Sequence, residues 1–138
     1  MKFQYDDGGR AAAGYKGKTG DCVTRAIAIA MELPYERVYE RIAAINKNYG
    51  SGEKTARKGL LKPLTRKLLS ENGWTWTPTM FIGSGCKVHL RADELPRGRL
   101  VVSVSKHIVA VIDGVIHDTY DCSRAGTRCV YGYWRKSG

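Results

Sequence analysis

The stretch HIVAVIDGVIHD, residues 107–118, decides how this chain is read. Two β-rich runs flank Asp113-Gly114, a pair that accepts the positive φ angles of a two-residue hairpin turn. With that turn, Ile112 pairs with Val115, Ala110 with His117, Val109 with Asp118 and His107 with Tyr120. Side chains alternate along a strand, so His107, Val109, Asp118 and Tyr120 share one face. Ile108, Ala110, Ile112 and His117 share the other. His107 and Asp118 become diagonal neighbours about 7 to 8 Å apart at the backbone, a gap their side chains can close. A carboxylate there fixes the imidazole tautomer and steadies its charged form. His117 competes as a base but falls on the face away from Asp118.

Further strands are expected on either side of the hairpin. WTWTPTM from Trp74 alternates, RLVVSVS from Arg99 is rich in β-branched residues, and VYGYW from Val130 supplies a last strand. The helical signals lie upstream. CVTRAIAIAMEL, from Cys22, is apolar on nearly every side between Ala26 and Met31, the pattern of a helix buried all round, with Asp21 as its N-cap. A second helix opens at Pro34, carries Tyr35, Val38, Tyr39, Ile42 and Ala43 at three-and-four spacing, and ends near Asn46. LLKPLTRKLLSENG aligns Leu61, Leu64 and Leu68 on one face, with Pro63 in the first turn and Gly73 as the stop. Residues 1–20, with five glycines, read as an irregular arm. NKNYGSGEKTARKG, from Asn46, reads as a loop or weak helix start. Helices followed by antiparallel strands specify an α+β fold, in which N-terminal helices pack on a C-terminal antiparallel sheet.

The chain has 138 residues, 43% of them hydrophobic, which suits one compact domain spanning 1–138 and excludes a second. A chain of this size buries roughly two thirds of its unfolded surface, enough to hold a core without metal or disulfide staples. No apolar run suits a secretory signal or a membrane span, so a cytoplasmic protein without membrane contact is expected. There thiols stay reduced, and each of the four cysteines reads as core filler, nucleophile or ligand rather than as half of a disulfide. The formal charge of +10 favours anionic partners.

Cys22 stands at the start of the buried helix, where unpaired N–H groups and the positive end of the dipole stabilise a thiolate. The same groups can stabilise an oxyanion on an attacked carbonyl. A Cys at a helix start, a His on a strand and an acid on the adjoining strand fill the three roles of a thiol hydrolase. The thiol attacks, His107 takes its proton, and Asp118 orients the imidazole. Arg25, one turn after Cys22, faces the same side and reads as a solvated or salt-bridged helix residue rather than a catalytic one.

TGDCVTRAIAIA, with Cys22 inside it, and LPRGRLVVSVSKHIVAVIDGVIHDT, ending at Thr119, together resemble the papain-like cysteine peptidase superfamily. The likeness is greatest to small phage and bacterial members with a minimal helix-plus-sheet core, and covers roughly residues 19–120. It implies Cys22 as nucleophile, His107 as general base and Asp118 as the orienting residue. It also implies a protein or peptide substrate and, for a phage protein, the host cytoplasm. The family usually places a Gln shortly before its nucleophile, whereas the one Gln here is Gln4, so Lys16, Lys18 or Thr19 would have to substitute.

Other patterns carry competing chemistry. Cys86-Lys-Val-His89 together with Cys122 and Cys129 forms a four-ligand zinc set on paper, but the second spacing is too long for a usual knuckle. No metal or cofactor is therefore expected, and Cys86, Cys122 and Cys129 read as structural or incidental thiols. Under oxidation Cys122 and Cys129 could bridge. Lys54, Lys58, Lys62 and Arg66 recur every four residues, joined by Arg57 and Lys67, a basic stripe over 54–67 that would suit nucleic acid. Gly59 and Pro63 interrupt it, and a solvated basic face is the plainer reading. Trp74, Trp76, Tyr131, Tyr133 and Trp134 read as core or cleft lining rather than a base-stacking platform. Two functions follow: a cysteine peptidase-type hydrolase, or a basic protein of the same fold that grips nucleic acid or an acidic host protein without turnover.

Overall fold

The computed structural model describes residues 2–12, 14, 22–49, 62–81, 83, 85–105 and 107–136. Among the described residues the elements are β1 (Lys2–Tyr5), α1 (Cys22–Met31), α2 (Tyr35–Tyr49), α3 (Lys62–Glu71), β2 (Trp74–Pro78), β3 (Arg99–Val104), β4 (His107–Ile112), β5 (Val115–Asp118) and β6 (Val130–Lys136). The six strands form one sheet in the order β1-β5-β4-β3-β6-β2. The fold is α+β, with helices on one face of the sheet.

The hairpin at the centre forms as its sequence dictates. Asp113 and Gly114 adopt φ of 48° and 80°, and Ile112 pairs with Val115, Val111 with Ile116 and Ala110 with His117. Ladder pairing stops there, because the chain leaves β5 at Asp118 and turns away before Tyr120 can pair with His107.

Both faces of the sheet are covered, which is why β3 and β4 read as nearly continuous apolar runs. On one face Val101, Ala110 and Trp134 meet α1, Val38 and Ile42 of α2, and Leu68 and Leu69 of α3. On the other, Leu100, Val102, Val109, Val111, Ile116 and Val130 meet Leu90, Leu95 and Cys122 from the connecting segments. Helix α1 is buried from Val23 through Ala30, as its apolar text from Ala26 onward requires, with Thr24 and Arg25 buried as well. Truncating a side chain such as Ile27 there would cost about 2 to 5 kcal/mol. The far end of α1 is tied to the sheet by Arg99, whose Nη1 donates to the Ile29 carbonyl at 3.0 Å, placing a cation at the negative end of the helix.

The structure corrects several expectations. The first residues are not all irregular: β1 pairs in parallel with β5, Lys2 beside Val115 through Tyr5 beside Asp118, so the sheet is mixed rather than antiparallel. Four residues with a long-range parallel partner are too short to leave a periodic signal. Helix α2 runs to Tyr49, past Asn46. Helix α3 holds Pro63 in its first turn and ends before Gly73, whose φ is 81°. The Asp21 cap, Leu61 and residues 54–61 of the basic stripe lie outside the described residues, as do the side chains of Leu64, Lys62 and Lys67. Trp74 and Trp134 are buried, and the Trp76 and Trp134 rings lie 5.4 Å apart, so these aromatics build core. Gly132 is required beneath them, since a Cβ there would overlap the Trp76 ring.

Candidate active site

Three elements converge at the end of the sheet where β4 begins. Helix α1 starts at Cys22, β4 starts at His107, and β5 ends at Asp118. Each residue thus terminates a rigid element, which fixes its backbone while leaving its side chain beyond the last ladder bond. The N-terminal strand adds to this. The Asp6 N–H donates to the Asp118 carbonyl at 2.8 Å, which pins the strand end that carries the carboxylate.

The imidazole of His107 meets Asp118 through Nε2 and Oδ2 at 2.7 Å, with side chains only 8% and 4% exposed. The other carboxylate oxygen, Oδ1, accepts from the Thr119 N–H at 2.7 Å and faces Arg25 Nη2 at 3.4 Å. Asp118 therefore holds two cations and a backbone donor in a buried setting. Burial works to raise its pKa, but the His107 hydrogen bond, the Thr119 N–H and the charges of His107 and Arg25 outweigh it and hold the carboxyl below its ordinary range.

Engagement of Nε2 by Asp118 leaves Nδ1 as the nitrogen able to exchange a proton with a thiol. Burial works against the charged imidazole, yet its bond to Asp118 and its interactions with the thiols of Cys122 and Cys22 push the His107 pKa up to about 11. Burial likewise acts to raise the Cys22 thiol. That effect is overcome by the hydrogen bond and charge of His107, the Ile108 N–H and the charge of Arg25, so Cys22 ionises below the ordinary thiol value. The start of α1 adds its own positive end. Both shifts act in the same sense, toward a Cys22 thiolate beside a His107 imidazolium.

All three residues singled out from the sequence come together here. His117 does not: its Nδ1 faces Asp6 at 3.5 Å. Gln4 is equally remote in role, on the exposed edge strand with its amide donating to the Tyr5 carbonyl. Lys16, Lys18 and Thr19 lie outside the described residues.

Three further side chains join the site. Of the two readings of Arg25, solvated or salt-bridged, the second holds: it is buried and paired with Asp118. Its signal was the helical spacing from Cys22, which set its direction but not its partner. Cys122 is a free, fully buried thiol whose sulfur lies within 4.8 Å of the metal-ligating atoms of His107 and Asp118. It is delivered by a turn in which Asp121 Oδ1 accepts from the Ser123 N–H at 3.0 Å and Arg128 donates to the Cys122 carbonyl at 3.3 Å. Tyr120 lays its half-exposed ring 5.4 Å from that of His107. Of the two thiols, only Cys22 reaches the surface.

The remaining cysteines correct a second expectation. Cys86 and Cys129 are joined in a disulfide with Cα atoms 5.7 Å apart, so neither is a free thiol, and Cys129 does not pair with Cys122. The bridge forms because the Val130 N–H donates to the Val88 carbonyl at 2.8 Å, which lays the segment before β6 against residues 86–90. No family model, curated protein or solved structure matches this chain. Among the described residues, no helix is long and apolar enough to cross a membrane.

Proposed function

We propose that this chain is a thiol hydrolase on a papain-like core, a cysteine peptidase-type enzyme that cleaves amide or isopeptide bonds of a protein or peptide through an acyl-enzyme on Cys22. The observation that supports this most is the single buried line of contacts from Arg25 through Asp118 and His107 to the Cys22 thiol. A structural thiol needs no such line. A nucleophile does, because it must lose its proton to a base whose charged form is stabilised.

The reaction follows from those charges. The Cys22 thiolate adds to the carbonyl carbon, and the N–H groups opening α1 receive the developing oxyanion. Collapse breaks the C–N bond as the His107 imidazolium passes its proton to the leaving nitrogen, leaving a thioester on Cys22. Neutral His107 then accepts a proton from water as the water oxygen adds to the thioester. The second collapse expels the Cys22 thiolate and releases the acid, restoring the starting ion pair. Asp118 stays ionised throughout and keeps Nδ1 aimed at the sulfur. We place this activity in the cytoplasm, where Cys22 stays reduced.

The test is to trap the thioester. Incubation with an activated ester, followed by acid quench and mass spectrometry, should show one acyl group on Cys22 that is absent from Cys22→Ala and strongly slowed in His107→Ala. Equal acylation in His107→Ala would remove the base from the account. If no turnover is found while salt-sensitive binding to an anionic polymer survives Cys22→Ala, the basic binding protein replaces the hydrolase.

A further inference from the structure

Cys86, His89 and Cys129 form a second cysteine–histidine cluster, which the hydrolase chemistry does not use. One metal-ligating atom from each lies within 4.8 Å of the others, and all three residues are half-buried, open to solvent on one side. Backbone contacts add to the sulfur–sulfur bond in bringing these two segments together. His89 and Cys129 are opposite each other in an isolated antiparallel bridge, the Leu90 N–H donates to the Arg128 carbonyl at 2.8 Å, and the Val130 N–H donates to the Val88 carbonyl. Cys86 lies one C-x2-H spacing from His89.

We infer that, once the disulfide is reduced, Cys86, Cys129 and His89 bind one zinc ion, with the fourth position open to solvent. The donor set is two thiolates and an imidazole, the soft and borderline ligands that select zinc. The spacing fits. Zn–S bonds of about 2.3 Å at a tetrahedral angle need sulfurs roughly 3.8 Å apart. Cα atoms 5.7 Å apart reach that by side-chain rotation alone. The outer contacts fit as well: His89 Nδ1 meets Glu94 Oε1 at 3.2 Å, and Glu94 Oε1 also accepts from the His89 N–H at 3.2 Å. A carboxylate on Nδ1–H puts the lone pair on Nε2 and orients the ring, as supporting carboxylates do at zinc sites.

The two forms interconvert through stated chemistry. A dithiol reductant gives two electrons and two protons to the Cys86–Cys129 bond and becomes a disulfide itself, leaving two thiols. Zinc then displaces the two thiol protons and changes no oxidation state. In a reducing compartment the metal takes over from the disulfide as the link between residues 86–90 and the start of β6, 43 positions further along the chain.

Cobalt(II) is the probe, since tetrahedral thiolate ligation gives it charge-transfer and intense visible bands. Titrated into full-length protein reduced under anaerobic conditions, it should bind at one equivalent with thiolate bands and be displaced by zinc. The bands should vanish in Cys86→Ser/Cys129→Ser, persist in Cys22→Ser/Cys122→Ser, and be absent from the unreduced protein. Glu94→Gln should weaken binding about tenfold to a hundredfold. His89→Ala keeps both sulfurs and should weaken it more, so the test stands even if the double serine variant does not fold. Cobalt bands that survive Cys86→Ser/Cys129→Ser, or an affinity unchanged in His89→Ala, would overturn the site, as would bands lost in Cys22→Ser/Cys122→Ser or a reduced, folded protein that binds no metal.

Discussion

The molecule holds two groups made of the same parts, a cysteine pair, a histidine and a carboxylate, and their settings send them to different chemistry. Around His107 the imidazole and carboxylate side chains are 8% and 4% exposed and meet at 2.7 Å, with both nearby sulfurs free. Around His89 the corresponding side chains are 37% and 27% exposed and meet at 3.2 Å, and the sulfurs are bonded to each other. Burial is the difference that matters. In a buried site the Asp118 charge is little screened and stabilises the imidazolium that His107 becomes on taking the Cys22 proton. In an open site the carboxylate orients a ring and leaves the sulfurs to each other or to a metal.

Removing the nucleophile or base tests this contrast most severely. Cys22→Ala and His107→Ala should each lower kcat/KM by about 10⁴-fold or more on any substrate that acylates the wild type, because parts that act as a unit fail together. His89→Ala should leave kcat/KM unchanged, and steady-state kinetics on the three variants decides the matter.

The next effect belongs to the other group. In metal-free buffer, Cys86→Ser/Cys129→Ser should cost about 4 kcal/mol of stability, the chain-entropy value for releasing a loop closed across 43 positions. Urea denaturation measures it. A loss below about 1 kcal/mol would show that the backbone bridge at His89 and Cys129 holds this region without the sulfurs.

Somewhat smaller is the cost of stripping the buried charge network. Asp118→Ala leaves Arg25 and His107 facing one another without their shared anion and should destabilise by about 3 kcal/mol, as breaking one partner out of a buried ion pair does. Glu94→Ala removes a more exposed carboxylate and should cost less than about 1 kcal/mol. Similar losses in the two variants would erase the contrast.

The least of these effects is a pH slope. His107 titrates near 11 when folded and at 6.5 ordinarily, so its stabilisation is complete below pH 6.5 and is lost as pH rises toward 11. Asp118 and Cys22, both lowered, contribute above their ordinary values of 3.8 and 9.0 and lose that contribution as pH falls. Just below pH 9.0 the Cys22 slope opposes that of His107. Cys22→Ala should therefore lose stability more steeply than wild type there, measured by denaturation midpoints at several pH values.

The reach of the sequence differs between the two groups for physical reasons. Cys22, His107 and Asp118 sit on a helix start and a tight hairpin, where local rules of turn chemistry and side-chain alternation set position. Their convergence was legible because Asp113-Gly114 fixed the register. The partner of Arg25 and the place of Cys122 were not, since they depend on how α1 and the turn at 121–128 pack onto that hairpin. The Cys86–Cys129 bond was missed for the same reason: it joins segments brought together only by long-range pairing, and a reduced compartment argued against it. Strand β1 was hidden by its length and by a partner more than a hundred residues away.

The most direct measurement is the pH dependence of Cys22 alkylation by iodoacetamide in wild type and His107→Ala, with the other cysteines followed by mass spectrometry. Cys22 should stay reactive below pH 9.0, its ordinary titration point, and His107→Ala should move its titration upward. A Cys22 that reacts only near the ordinary thiol value, indifferent to the loss of His107, would contradict the thiolate–imidazolium pair and with it the proposed hydrolase.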